Sequence, residues 1–242
     1  MQFYFIRHGQ SVNNLLWIRT GSSEGRSEDP VLTPTGRQQA REMARFLQQA
    51  NPTSALTSHG RAIQNVAGFG ITHLYTSLML RAVSTATIIA EALDLPLVAW
   101  KDLHETGGIF RVDKQTGERI GLPGKNRAYF ETYYPHLALP DDVDQKGWWN
   151  RPFEEYESRP LRAKRVLNGL LDRHGGTDDR VAVVSHAGFY NHLLRAILDL
   201  PEQKGFWFAI NNAAMTRIDF DDEEVVLGYS NRIDFLPKEL LT

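Results

Sequence analysis

Gln2-Phe3-Tyr4-Phe5-Ile6-Arg7-His8-Gly9 opens the chain, and Val181-Ala182-Val183-Val184-Ser185-His186 returns the same pattern near its far end. Each is a short apolar run closed by a histidine. Runs of this length predict buried strands. In open α/β sheets the carboxyl ends of such strands share one edge, and ligands bind in the crevice just beyond it. A third run, Thr72 to Thr76, ends at Ser77, where the spacing opens a helix carrying Arg81. Three strand ends thus deliver two arginines, two histidines and a serine to one edge, an inventory suited to a phosphate ester.

Composition narrows the function classes. The 242 residues include 27 basic and 29 acidic side chains, for a formal net charge of -2, so no broad basic surface for nucleic acid or anionic membrane is expected. There is no cysteine, which excludes a disulfide framework, a thiolate nucleophile and thiolate-bound zinc. No apolar stretch approaches bilayer-spanning length, and the N-terminus lacks the basic region and long apolar core of a secretory signal; the expected location is the cytoplasm. Oligomeric state leaves no mark on the sequence.

The remaining elements follow from capping and periodicity. Ser11 caps a short helix through Leu16, followed by a polar loop from Gly21 to Asp29. Thr33, with Pro34 at the first helical position, starts an amphipathic helix ending before Asn51-Pro52. Thr53 to Gly70, with His59 and Arg61, reads as a surface insertion with a helical turn. Ser77 to Leu93 is a helix, and Leu97 to Trp100 a strand leading to Glu105. From Thr106 to Pro160 the periodicity fades while Trp148-Trp149 and several tyrosines supply bulk, which predicts an insertion packed over the sheet edge with a helix near Arg127 to Tyr134. Ala163 to Leu171 marks a strong helix closed by Gly175-Gly176. A helix from Ala187 to Leu198 and two strands, Ala214 to Phe220 and Glu224 to Tyr229, complete the chain. The expectation is one α/β domain over residues 1–242, a three-layer α/β/α sandwich around a mainly parallel sheet, with an insertion at about 106–160.

Five ordered blocks carry a family resemblance: Arg7-His8-Gly9-Gln10-Ser11, Leu32-Thr33-Pro34-Thr35-Gly36-Arg37, Ser77 through Ala86 with Arg81, the Glu105 segment, and Val184-Ser185-His186-Ala187-Gly188. In that order they resemble the histidine phosphatase superfamily, the phosphoglycerate-mutase-like group, over about residues 2 to 220. The resemblance implies the same sandwich fold and a metal-independent phosphomonoesterase of the histidine acid phosphatase type, needing no cofactor and acting on a small phosphorylated substrate.

It also implies roles. His8 attacks phosphorus and becomes a phosphohistidine; Arg7 and Arg81 clamp the phosphate; His186 donates a hydrogen bond to it. The guanidiniums help keep His8 neutral. Glu105 is the expected proton donor, with Asp102 and Glu118 as rival carboxylates. Asn14 is expected to reach a transferring oxygen, and Ser11 to cap the first helix or touch the ligand. The insertion from Thr106 to Pro160 comes directly after the proposed acid, and its cations, especially Lys125 and Arg127, are expected on that ground to select the remote part of the substrate. His59, His73, His104, His136, His174 and His192 show no metal-ligand spacing and read as surface or packing residues. Phosphoglycerate mutases of the family carry an adjacent Arg-Arg pair with a lysine; after Glu105 this chain has Arg111, Lys114, Arg119, Lys125 and Arg127, and no such pair. Hydrolysis is therefore expected over mutase activity, with a non-catalytic phospho-ligand module as the alternative from another class.

Overall fold

Strand β1 (Gln2–Arg7) buries every side chain from Phe3 to Ile6, and strand β7 (Arg180–Ser185) every one from Val181 to Ser185. Successive strand side chains point to opposite faces. Tyr4, Ile6, Ala182 and Val184 therefore enter one apolar core, and Phe3, Phe5, Val181 and Val183 the other. A sheet buried on both faces needs a helical layer on each side. The computed structural model describes residues 1–49, 64–65, 68–202, 205–221 and 223–242. The sequence reading of Thr53 to Gly70, with His59 and Arg61, lies largely outside them.

Among the described residues, seven strands form the main sheet in the order β6-β3-β2-β7-β1-β8-β9. Strands β2 (His73–Thr76), β3 (Leu97–Ala99) and β6 (Leu137–Ala138) continue the parallel set on one side of β7. Beyond β1, strands β8 (Met215–Phe220) and β9 (Val225–Arg232) run antiparallel. One face is covered by helices α2 (Pro34–Gln48) and α3 (Leu80–Leu93), which pack together. The other is covered by α5 (Ser158–His174) and α6 (Ala187–Ile197). The result is the expected α/β architecture with a mainly parallel sheet between helices. No described helix is long and apolar enough to cross a membrane.

Several boundaries differ from the sequence reading. Helix α1 runs over Val12–Thr20, a turn longer than expected, and stops at Gly21, whose positive φ of 65° suits a left-handed cap. Helix α3 begins at Leu80, not Ser77, because the Ser77 hydroxyl is already engaged by the Met79 amide and by His186. Between Glu105 and α5 the chain folds a β4–β5 hairpin (Phe110–Val112 and Arg119–Gly121), the short helix α4 (Arg127–Tyr133) and β6, which joins the main sheet. Trp148, Trp149 and Phe130 are buried in the main core, with Tyr129 and Tyr134 packed against it, whereas Tyr133 is exposed.

The first residues of the site rest on a backbone crossing. The chain just after His8 packs directly on the start of α2, so a Cβ on Gly36 would overlap the Gln10 carbonyl oxygen. Neither partner is a flexible side-chain tip. Gly36→Ala should therefore destabilise the protein by about 1–3 kcal/mol or more through overpacking. A denaturant midpoint equal to that of the parent protein would contradict this.

Candidate active site

The edge carrying the candidate site is assembled by backbone hydrogen bonds between strand ends. The His8 amide donates to the Ser185 carbonyl at 3.0 Å, and the Ser77 amide to the Val184 carbonyl at 3.1 Å. These bring His8, Arg81 and His186 together; His8 and Arg81 border a cavity of about 180 Å3 that Arg7, Ser11, Asn13, Asn14, Trp17, Arg26 and Glu105 also line, while His186 is fully buried outside that lining.

His8 is buried at the end of β1. Its Nδ1 lies 2.7 Å from the Gly9 carbonyl oxygen, an acceptor, which assigns the proton to Nδ1 and the lone pair to Nε2. Arg81 Nε donates to that Nε2 at 3.1 Å. Burial, reinforced by Arg81 and Arg7, holds the imidazole well below the usual histidine range, so His8 is neutral at pH 7.

The two arginines expected to clamp phosphate, Arg7 and Arg81, are themselves fixed. Arg7 donates to the Ile210 carbonyl at 2.6 Å, and burial lowers its pKa to about 10 against the opposing charge of Glu105. Arg81 sits in the first turn of α3, 3.9 Å from the Asp29 carboxylate. Asp29 accepts from the Leu80 amide at 3.0 Å, so one carboxylate from a loop both caps α3 and faces the arginine beside it. Burial raises Asp29 to about 6, with Arg81 pulling the other way.

His186 stands behind His8, the ring centroids 5.1 Å apart. Its Nε2 meets the Ser77 hydroxyl at 2.9 Å while that hydroxyl accepts from the Met79 amide. Among the described contacts Nε2 is the one acceptor for the serine proton, and that pairing places the ring proton on Nδ1. Nδ1 is buried without a hydrogen-bond partner and is the atom free to donate to a phosphate.

Ser11 and Asn14 form a reciprocal capping box at the start of α1. The Asn14 side-chain oxygen accepts from both Ser11 and Asn212, which directs its amide nitrogen outward. Asn212 also donates to the His8 carbonyl at 3.2 Å, a contact the sequence did not reveal.

Glu105 lies against the N-terminus of α6. Its Oε1 accepts from the Thr106 and Phe189 amides at 2.7 and 3.0 Å, and Oε2 from the Gly188 amide at 3.1 Å. A Cβ on Gly188 would collide with this carboxylate. The segment before it is anchored by buried Arg162, which donates to the Asp102 and His104 carbonyls and pairs with Glu154. Neither rival carboxylate borders the cavity: Asp102 pairs with Arg165, and Glu118 is exposed in the β4–β5 hairpin.

Lys125 and Arg127 are not brought to the cavity. Arg127 donates to the Val143 and Pro140 carbonyls at 2.7 Å each, tying α4 to its own loop, and the Lys125 ammonium lies 4.7 Å from the Tyr129 ring centre. The cation that does line the cavity from outside the strand ends is Arg26. The fold also gathers His73, His174 and Asp179, spread over the sequence, within 4.8 Å of one another, which spacing alone did not show. Both His174 ring nitrogens are already engaged there, by Tyr75 and by Asp179.

Comparison with known proteins places the fold and the family. A 2,3-bisphosphoglycerate-dependent phosphoglycerate mutase of Latilactobacillus sakei is 36% identical over 120 residues, 48% of this chain and 42% of that protein. A probable phosphoglycerate mutase of Yersinia enterocolitica is 25% identical over 92% of this chain and 86% of its own. Two solved structures share the fold: a putative alpha-ribazole-5'-P phosphatase from Escherichia coli, with a TM-score of 0.62 at 19% identity over 96% of each chain, and a phosphoserine phosphatase from Entamoeba histolytica, with a TM-score of 0.59 at 22% identity over 98% and 99%. The family model for branch 1 of the histidine phosphatase superfamily matches residues 3–65 and 59–232. With that match spanning the strand-end residues from Arg7 to His186, the chain belongs to the histidine phosphatase superfamily.

Proposed function

We propose that the protein is a metal-independent phosphomonoester hydrolase working through a phosphohistidine on His8. The observation that carries this reading is the His8 ring: buried, neutral, oriented through Nδ1 and presenting Nε2 beside two guanidiniums. A phosphate dianion that draws the Arg81 guanidinium to its oxygens frees the lone pair for attack. The Nε2–P bond forms as the ester P–O bond breaks, and Arg7, Arg81, Asn14 and His186 meet the charge on the equatorial oxygens. Glu105 protonates the leaving oxygen. Oε1 is filled by two amides, whereas Oε2 accepts only one and keeps a lone pair for that proton. Water then attacks phosphorus and gives its proton to Glu105; the P–N bond breaks, returning its electrons to Nε2 and releasing orthophosphate.

Mutase activity is the second reading, favoured by the names of the sequence relatives. Against it, no cation of the segment after Glu105 lines the cavity, so the paired grip on a mutase substrate lacks a counterpart among the described residues. A panel of phosphomonoesters assayed with chelator present separates the two. Release of orthophosphate is expected; phosphoryl transfer to a second hydroxyl with little release would favour the mutase.

The role of Glu105 gives a leaving-group prediction. Glu105→Gln should slow alkyl phosphates by about 100-fold or more, the usual contribution of a general acid, and activated aryl phosphates far less, because their leaving oxygen needs little protonation. Equal losses on both classes in steady-state kinetics would assign the acid elsewhere.

A further inference from the structure

The amino ends of the central strands carry a cluster that the chemistry at their carboxyl ends does not use. His73 opens β2, His174 closes α5, and Asp179 lies just before β7. One ligand atom from each lies within 4.8 Å of the others. Asp179 Oδ2 stands 2.8 Å from His174 Nδ1, and Oδ1 stands 3.8 Å from His73 Nδ1. Ligand bonds of roughly 2.0–2.1 Å around a tetrahedral ion put neighbouring donor atoms about 3.4 Å apart. The two observed separations straddle that value, so shifts on the order of 1 Å seat an ion between the three side chains.

Backbone contacts place the ligands beforehand. The Thr72 amide donates to the Arg180 carbonyl at 2.8 Å and the Arg180 amide to the Thr72 hydroxyl at 3.0 Å, which locks the residue before His73 to the residue after Asp179. The Thr177 hydroxyl donates to the His174 carbonyl at 2.7 Å and accepts from the Asp179 amide at 3.1 Å, closing the turn between those two. Preorganisation of this kind lowers the ordering cost of binding. The His174 side chain is 4% exposed, Asp179 28% and His73 42%, so the cluster has a buried floor and a solvent-facing entrance.

The present partners of the three side chains are compatible with an ion. Among the described residues the ion pairs of Asp179 are with the two histidines, and the neighbouring cations are turned elsewhere: Arg180 donates to the Phe69 carbonyl, and the Arg173 guanidinium lies 4.2 Å from the Trp100 ring centre. His73 Nδ1 gives up a contact with the Thr72 hydroxyl. At His174 an ion replaces the Nδ1 proton, and Nε2 then directs its hydrogen to the Tyr75 hydroxyl, 3.0 Å away. A metal-ligating histidine almost always donates its second ring N–H to such a partner. Two imidazoles and one carboxylate select borderline first-row ions over calcium and magnesium, which prefer oxygen ligands throughout.

We propose that His73, His174 and Asp179 form a binding site for a zinc-class divalent cation, which ties the end of α5 to the starts of β2 and β7. The role is structural. The site stands at the edge of the sheet away from His8, so the metal-independent chemistry proposed there neither requires it nor depends on its fate.

The test titrates the untagged full chain, stripped of metal, with Zn2+ in competition with a chromophoric chelator. One ion should bind per chain. His73→Gln should weaken that binding by roughly 100-fold or more, and the fold survives the change because the side chain is half-exposed. Tyr75→Phe should weaken it by roughly 10- to 100-fold, the usual effect of removing the outer hydrogen bond to a ligand. Zn2+ should also raise the melting temperature of the parent protein and not of His73→Gln, and Mg2+ should raise neither. Equal Zn2+ affinity in the parent and in His73→Gln would assign the binding to other histidines and overturn the site, as would the absence of one-to-one binding.

Discussion

His8→Ala should reduce turnover by about 10,000-fold or more while leaving the fold intact. The size follows from deleting the nucleophile of a group that acts as a unit, where the clamps and the acid retain nothing to work on. The intact fold follows from position. The ring borders the open cavity, whereas the hydrogen bonds that order this strand end, from the His8 amide to Ser185 and from Asn212 to the His8 carbonyl, belong to the backbone and survive truncation. Steady-state rates with a denaturant melt check both halves. Near-parental turnover would remove His8 from the chemistry; a collapsed melt would make the activity loss uninformative, in which case His8→Asn, closer in size, takes its place.

Arg81→Ala should be the next most damaging change, at about 100- to 1,000-fold in kcat/KM, the range for losing one preorganised donor to transition-state charge. Three contacts go together: the phosphate clamp, the Nε donor to His8 and the cation facing Asp29. The last leaves a buried carboxylate without its counter-charge, so some loss of stability should accompany the loss of rate. Arg81→Lys should restore only a minor part, because a single ammonium cannot span two phosphate oxygens as a planar guanidinium does. Single-turnover kinetics should place the defect in phosphoenzyme formation. A variant that forms the adduct at the parental rate would show that Arg7 alone supplies the clamp.

The sequence made the strand-end residues legible for a simple physical reason. The β1 and β7 runs are apolar on both faces, a pattern imposed by helices on either side of the sheet, and the residues that follow them are therefore forced to the sheet edge. The parallel core and the meeting of His8, Arg81 and His186 follow from it. Glu105 was reachable only by resemblance, since what places it is tertiary: Arg162, nearly sixty residues on, holds the carbonyls just before it. Arg26 and Asp29 lie in a polar loop without periodicity, where no spacing rule distinguishes a solvated side chain from one turned into a cavity. Lys125 and Arg127 stand out in the sequence as cations of the segment that follows the acid; neither lines the cavity, Arg127 being spent on the Val143 and Pro140 carbonyls and Lys125 lying over the Tyr129 ring. The two-residue strand β6 is too short to leave a pattern at all.

All of these expectations depend on a covalent intermediate at one atom, and it can be trapped. Brief mixing with a phosphate-labelled ester, quenching in alkali and peptide mapping should find about one phosphoryl group per chain, stable in base and labile in acid, on His8 and carried by Nε2, the nitrogen not held by the Gly9 carbonyl. Turnover with no such adduct under conditions that resolve a burst, or an adduct on His186 in place of His8, would contradict the account.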